Sequence, residues 1–207
     1  ILGCAPSKNA YDKDATITVD AATYRKRSAG GHIHLGLHDL VKPHAERLVP
    51  LLDVMLGNTC VMIDRDSHAA ERRKLYGRAG EYRLPEHGLE YRTLSNFWLR
   101  AVPLASFVWG MARVCHSVLY TTVYHEKYPN CYFDAEAALL RGIDMIAIQE
   151  AINSNDLKLA KKNWAPVRKF LVEYGHYNTG PNKFNMPQFD YFLKVIEKKG
   201  LKAWFKE

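Results

Sequence analysis

Apolar and polar positions along the chain change their period near residue 95. Before that point, short runs alternate in the manner of half-buried strands, at 16–19, 31–37, 81–84 and 89–94. Beyond residue 96 the apolar residues recur at helical spacing. This predicts helices over 97–125, kinked at Pro103; over 133–152, with Asp134 near the start; over 156–174, interrupted near Pro166; and over 188–199, stopping at Gly200. Two helical stretches fall between the strands. One is 43–56, kinked or split at Pro50 and ended by Gly57; the other is 66–75, charged and expected to be exposed. The pattern predicts one α+β domain over 1–207, with a sheet-rich region at 1–95 and a helical region at 96–207 packed on it.

Composition narrows this picture in three ways. At 207 residues and 47% hydrophobic, the chain buries a core without disulfide staples. The formal charge of +7 favours an anionic ligand: nucleotide, phosphate, carboxylate or nucleic acid. No aromatic-and-basic stacking platform stands out in the sequence, so base recognition is not expected. The cysteines Cys4, Cys60, Cys115 and Cys131 have no Cys-x-x-Cys spacing, which fits a reduced, cytoplasmic protein. The apolar region 97–124 is broken by Arg100, Arg113 and His116 and reads as a buried helix rather than a membrane span.

Two blocks carry candidate chemistry. The first, 27–36, reads Arg-Ser-Ala-Gly-Gly-His-Ile-His-Leu-Gly. On a strand His32 and His34 point to one face, and Gly30, Gly31 and Gly36 admit a close approach by backbone, metal or phosphate. Without a strand, the same pair is two half-exposed histidines in a turn. The second block, 76–98, contains Glu-Tyr-Arg twice, at 81–83 and 90–92, around a Pro-Glu-His-Gly turn, which predicts a hairpin. Its Glu and Arg side chains share one face and its tyrosines the other. Such a face is either a surface of cross-strand ion pairs or a site, since guanidiniums hold carboxylates and phosphates, and carboxylates ligate Mg²⁺ or Mn²⁺. Arg78 stands in a Gly-Arg-Ala-Gly turn beside it. Cys4 has no partner base for a nucleophilic role. His38, His44, His68 and His87 are expected in solvent, and His116 as a satisfied core histidine.

These blocks, with Gly-Cys-Ala-Pro-Ser-Lys-Asn-Ala-Tyr at 3–11, resemble the signature segments of the phage-type carboxylate–amine ligases. These are the type 2 amidoligases of the glutamine synthetase and glutamate–cysteine ligase superfamily. The similarity covers the sheet-rich region; the helical half matches only in general character. The resemblance implies the antiparallel sheet of the glutamine synthetase-like fold, as its C-terminal part, under a helical C-terminal layer. It implies ATP-dependent amide formation through an acyl phosphate, with Mg²⁺ or Mn²⁺ as metal. His32 and Glu90 would ligate the metal, and His34 and Arg83 would contact the nucleotide phosphates. Arg78 and Arg83 would stabilise the transferring phosphoryl, and Arg92 would hold the substrate carboxylate. Glu81 carries no role from the family. The substrates would be a carboxylate and an amine, possible sources being a peptide or a peptidoglycan fragment.

Superfamily members carry further metal-binding carboxylates on strands upstream of the Gly-Cys segment, and Asp12, Asp14 and Asp20 do not match that pattern. An N-terminal segment or second chain is therefore expected to complete the site, against an open sheet edge near 32–36. Two other readings stand beside this one. A non-catalytic phage structural or scaffold protein would keep the fold and belong to the virion rather than the host cytoplasm. A cupin-like metal enzyme would use His-Ile-His-Leu-Gly alone, although cupin sites want a further downstream histidine.

Overall fold

A computed structural model describes residues 6–18, 30–36, 38–64, 66 and 68–174. Cys4 and the helix expected at 188–199 lie outside them. The described elements run β1 (Lys8–Asn9), β2 (Ile33–Leu35), α1 (His38–Val41), α2 (Ala45–Leu52), a π-helical turn (Asp53–Gly57), α3 (Asn58–Ile63), α4 (Ala69–Leu75), β3 (Glu81–Arg83) and β4 (Leu89–Tyr91). A 3-10 turn (Asn96–Arg100) leads into α5 (Val102–Lys127), α6 (Ala135–Leu140), α7 (Met145–Asn153) and α8 (Leu157–Tyr174).

The strands form one antiparallel sheet in the order β1-β3-β4-β2. The predicted hairpin is the β3–β4 pair, with Tyr82 opposite Tyr91 and Arg83 opposite Glu90. β2 lies at the edge, paired with β4 among the described residues. The expected strand at 16–19 reduces, within its described part, to a single bridge from Ile17 to Ser7.

The core sits between the sheet and a helical segment that is apolar almost all round, from Leu48 to Ile63. That pattern marks a central helix rather than an amphipathic surface one. Pro50 lacks the amide an α-helix needs, yet the segment does not end there, nor at Gly57 as the sequence predicted. It continues through the π-helical turn into α3. Gly57 serves close packing instead: a Cβ there would stand 2.7 Å from both Ile152 Cδ1 and Tyr91 Oη. Tyr91 is locked by its own hydrogen bond and cannot yield. Gly57→Ala is therefore expected to lose about 1–3 kcal/mol from overpacking, more than the ~1 kcal/mol that alanine returns in helix propensity. Urea unfolding checks this, and a more stable variant would contradict it.

Other boundaries shift for local reasons. The region 97–125 is split rather than kinked, because Ser95 caps the 3-10 turn and Pro103 falls in the first turn of α5, where no helical amide is required. The region 133–152 is two helices: Gly142 takes a positive φ, and Asp144 caps α7 by accepting from Ile146 N and Ala147 N. Pro166 does not interrupt α8, whose buried Asn163, Trp164, Val167 and Phe170 hold one face against the core. Asn58 and Asn163 tie α3 to α8 and α7 by bonds of 3.0–3.1 Å to each other and to the carbonyls of Ala160 and Ala147. By length and composition, α5 is long and apolar enough to cross a membrane, and its inward face is part of this core.

Candidate functional site

Sheet register brings the two sequence blocks onto one face. β2 pairs with β4 so that His34 stands opposite Glu90, and β3 pairs so that Arg83 stands opposite the same glutamate. With alternation, His32, His34, Glu81, Arg83, Glu90 and Arg92 share the polar side, while Ile33, Leu35, Tyr82, Leu89 and Tyr91 share the other.

On the apolar side one carboxylate is buried. Asp53, in the π-helical turn, is inaccessible to solvent and accepts from Tyr91 Oη at 2.6 Å, Tyr11 Oη at 2.9 Å and Gly80 N at 2.6 Å. Thr93 Oγ1 stands at 3.4 Å. Burial drives the pKa of Asp53 up to about 7, against the downward pull of these donors. The turn 77–80 that leads into β3 is thus pinned from beneath, and Asn153 Oδ1 holds it from α7 by accepting from Ala79 N at 2.9 Å.

The polar side is an ion-paired cluster centred on Glu90, whose side chain is 5% exposed. Arg83 grips it sideways, with Nε 2.7 Å from Oε2 and Nη2 2.7 Å from Oε1. His32 Nδ1 lies 2.6 Å from Oε1, and Arg92 Nε stands at 3.8 Å. Burial pushes the Glu90 carboxyl up, but the bonds and charges of Arg83, His32 and Arg92 outweigh it and leave the pKa below the usual range. His32 is pushed down to about 4, by burial first and then by the Arg92 charge, against the pull of Glu90. It is a neutral imidazole at pH 7 whose Nδ1–H donates to Glu90, leaving Nε2 as a lone pair. That atom is buried and has no hydrogen-bond partner.

Four of the six residues expected at a site therefore meet: His32, Arg83, Glu90 and Arg92. His34 shares their face but is exposed, its Nδ1 2.9 Å from His87 Nε2 with the rings stacked. Arg78 turns away. Its Nε and Nη2 donate to the carbonyls of Arg73 and Lys74 at 2.9 and 2.8 Å, closing the end of α4.

Of the glycines expected to admit a close approach by backbone, metal or phosphate, Gly30 and Gly31 admit the chain itself, while a Cβ on Gly36 would meet nothing nearer than His87 O at 4.0 Å. A Cβ on Gly31 would strike Ser95 O and Trp98 Nε1, and one on Gly30 would strike His32 Nε2. His116 is not the satisfied core histidine expected, since its Nε2 is buried without a partner. It borders a cavity of about 540 Å³ with Leu40, His44, Tyr120 and Tyr124, none of them a sheet residue.

Three residues of the cluster were given no role in the sequence reading. Glu81 is wholly buried and accepts from Gly77 N and from Arg78 N, the latter at 3.3 Å. Tyr76 lies under Arg92 and edge-on to His32. Arg72 was expected on an exposed helix, but it is buried and reaches Thr93 O at 2.5 Å. Helical spacing gave no signal for it, since Tyr76 follows the end of α4 in extended backbone and only its amide, donating to Arg72 O at 3.0 Å, closes the last turn.

An α+β protein with a small antiparallel sheet, carrying a partly buried arginine–glutamate–histidine cluster on one face, is suited to gripping oxyanions. A family model described as phage phiEco32-like COOH.NH2 ligase-type 2 matches residues 5–181, and the chain belongs to that family. A ligase of this kind joins a carboxylate to an amine. No curated protein and no solved structure matches the chain.

Proposed function

We propose that the polar face of the sheet is one wall of an ATP-dependent carboxylate–amine ligase site, on the C-terminal part of a glutamine synthetase-like fold. The observation that carries this reading is the convergence of His32, Arg83, Glu90 and Arg92, from two distant sequence blocks, into one partly buried cluster. In the proposed reaction a substrate carboxylate oxygen attacks the γ-phosphorus of ATP and ADP leaves. The amine nitrogen then attacks the acyl carbon of the resulting acyl phosphate, loses a proton and expels phosphate. Arg92 holds the carboxylate. Arg83 spreads the charge of the transferring phosphoryl, and His34, at the exposed end of the face, meets the nucleotide phosphates. Arg78 would first have to release the α4 carbonyls, so we give the phosphoryl role to Arg83 alone.

The residues present do not by themselves fit Mg²⁺ or Mn²⁺. Both Glu90 oxygens are taken by His32 and Arg83, and among the described residues no group of three His, Cys, Asp or Glu side chains converges. One imidazole nitrogen is short of the oxygen-rich shell these ions require. Glu90 acts here as the orienting partner of His32 rather than as a ligand. The acidic ligands of the proposed metal come from an upstream segment or second chain lying along β2, the edge strand. The proposed setting is the host cytoplasm.

The test is phosphate release from ATP with Mg²⁺ or Mn²⁺, with the chain alone and with its upstream segment supplied. Release is expected only when both a carboxylate and an amine are present, and His32→Ala is expected to abolish it. Release independent of the carboxylate, or none under any of these conditions, would overturn the reading.

A further inference from the structure

We propose that the cavity between α1 and α5 binds a zwitterionic α-amino acid with a large apolar side chain. Its volume is about 540 Å³, within the range of about 300–1,000 Å³ usual for small-molecule sites. No sheet residue lines it, so the site is separate from the residues assigned above to the ligase.

One wall is a face of α5. His116, Tyr120, Val123, Tyr124 and Lys127 recur there at helical spacing. The outward stripe of a helix is ordinarily charged, whereas this one is aromatic and aliphatic between His116 and Lys127. The Tyr120 and Tyr124 rings stack at 4.4 Å, and Tyr132 stands 5.5 Å behind Tyr124, which makes a flat aromatic surface. Leu40, on α1, adds an aliphatic surface to the same space. An apolar side chain entering here replaces water against rings and methyl groups.

The fixed charges of the lining are one of each sign. Asp39, on α1, brings a carboxylate and Lys127, on α5, an ammonium; both are exposed, and neither makes an ion pair among the described residues. Lys127 Nζ rests only over the Tyr128 ring, at 5.2 Å. The neighbouring carboxylates of Glu126 and Glu136 are held by Arg47 at 2.8 and 2.7 Å and do not neutralise it. Burial and the Arg113 charge keep His116 neutral at pH 7, so it adds no cation. A purely anionic ligand would meet Asp39, and a purely cationic one Lys127. A neutral ring would strip water from both charges and return nothing. An ammonium and a carboxylate on one carbon answer both through charge-assisted hydrogen bonds, and the flexible lysine stem lets its charge follow the ligand.

The experiment is calorimetric titration of the full chain at pH 8 with L-phenylalanine and L-leucine, against glycine, phenethylamine and 3-phenylpropionate at matched ionic strength. The two amino acids are expected to bind. The three controls lack the side chain, the carboxylate or the ammonium, and are expected to bind at least tenfold more weakly. Asp39→Asn and Lys127→Met, at exposed positions, should each weaken L-phenylalanine binding at least tenfold, whereas Lys158→Met, at an exposed position of α8, should change it less than twofold. Val123→Trp fills the cavity and should abolish binding. Should that variant fail to fold, the ring-proton resonances of Tyr120 and Tyr124 in the unmodified protein take its place, and they should move on addition of L-phenylalanine. No binding by the unmodified protein, equal binding of a control, or binding unchanged in the Asp39 and Lys127 variants would overturn the proposal. So would binding lost in His32→Ala but kept in Val123→Trp, which would put the amino acid on the polar face of the sheet. Binding that persists while no carboxylate-dependent release from ATP occurs would remove the ligase reading and leave this one standing.

Discussion

Replacing Asp53 by alanine is expected to destabilise the fold by on the order of 3–6 kcal/mol, enough to unfold a typical domain at ambient temperature. The deletion leaves Tyr11 Oη, Tyr91 Oη and Gly80 N without their acceptor in a region closed to water. Each lost partner costs about 1–3 kcal/mol, and the cavity adds to it. Urea unfolding followed by circular dichroism measures the loss, and a change under 1 kcal/mol would contradict the assignment of Asp53 as the pin between sheet and helix.

A pH dependence accompanies this. The folded-state pKa of Asp53 is raised from 3.8 to about 7, so between these values the folded protein keeps a proton that the unfolded chain has lost. Stability from this group is therefore full below about pH 4 and falls as pH rises to 7, by on the order of 4 kcal/mol. His32, with its pKa lowered, acts in the opposite direction, so a difference between variants isolates Asp53. The stability advantage of the unmodified protein over Asp53→Asn is expected to shrink between pH 5 and pH 7.5. A constant difference would show that Asp53 does not titrate in that window.

Glu90→Gln is the second large effect. It removes the carboxylate that holds Arg83, His32 and Arg92 together and leaves the positive charges of Arg83 and Arg92 uncompensated. Breaking a buried pair from one side costs about 3–5 kcal/mol, and the lower end applies because Arg83, 22% exposed, can turn toward water. The upward pull on His32 disappears with the carboxylate, so its titration, followed by NMR, is expected to move below about 4. Under the proposed reaction, activity falls about 10- to 100-fold, as for loss of a partner that orients a ligating histidine. A His32 pKa that returned to its ordinary value would show that Glu90 is not its electrostatic partner.

The hairpin and its polar face were legible in the sequence, because strand side chains alternate: two Glu-Tyr-Arg triplets around Pro-Glu-His-Gly put both glutamates and both arginines on one side, while the register that sets Arg83 opposite Glu90 came with the fold. The helical second half was legible for the same kind of reason, although its breaks at Gly142 and Asp144 were absorbed into one long helix. Arg72 and Arg78 show where local pattern ends. Both are arginines beside the hairpin, and the glycine-flanked one looked like the functional residue. In the fold Arg78 donates to helix carbonyls, while Arg72 is carried by α4 under Tyr76 into the cluster.

His32 and His34 show the same limit. Alternation placed them on one face, but only the pairing of β2 with β4 set His32 against Glu90 and left His34 in solvent beside His87. Periodicity and motif spacing follow from backbone geometry within a few residues, and so they are written along the chain. Which donor meets which acceptor depends on contacts between residues dozens of positions apart, and these exist only once the core has closed.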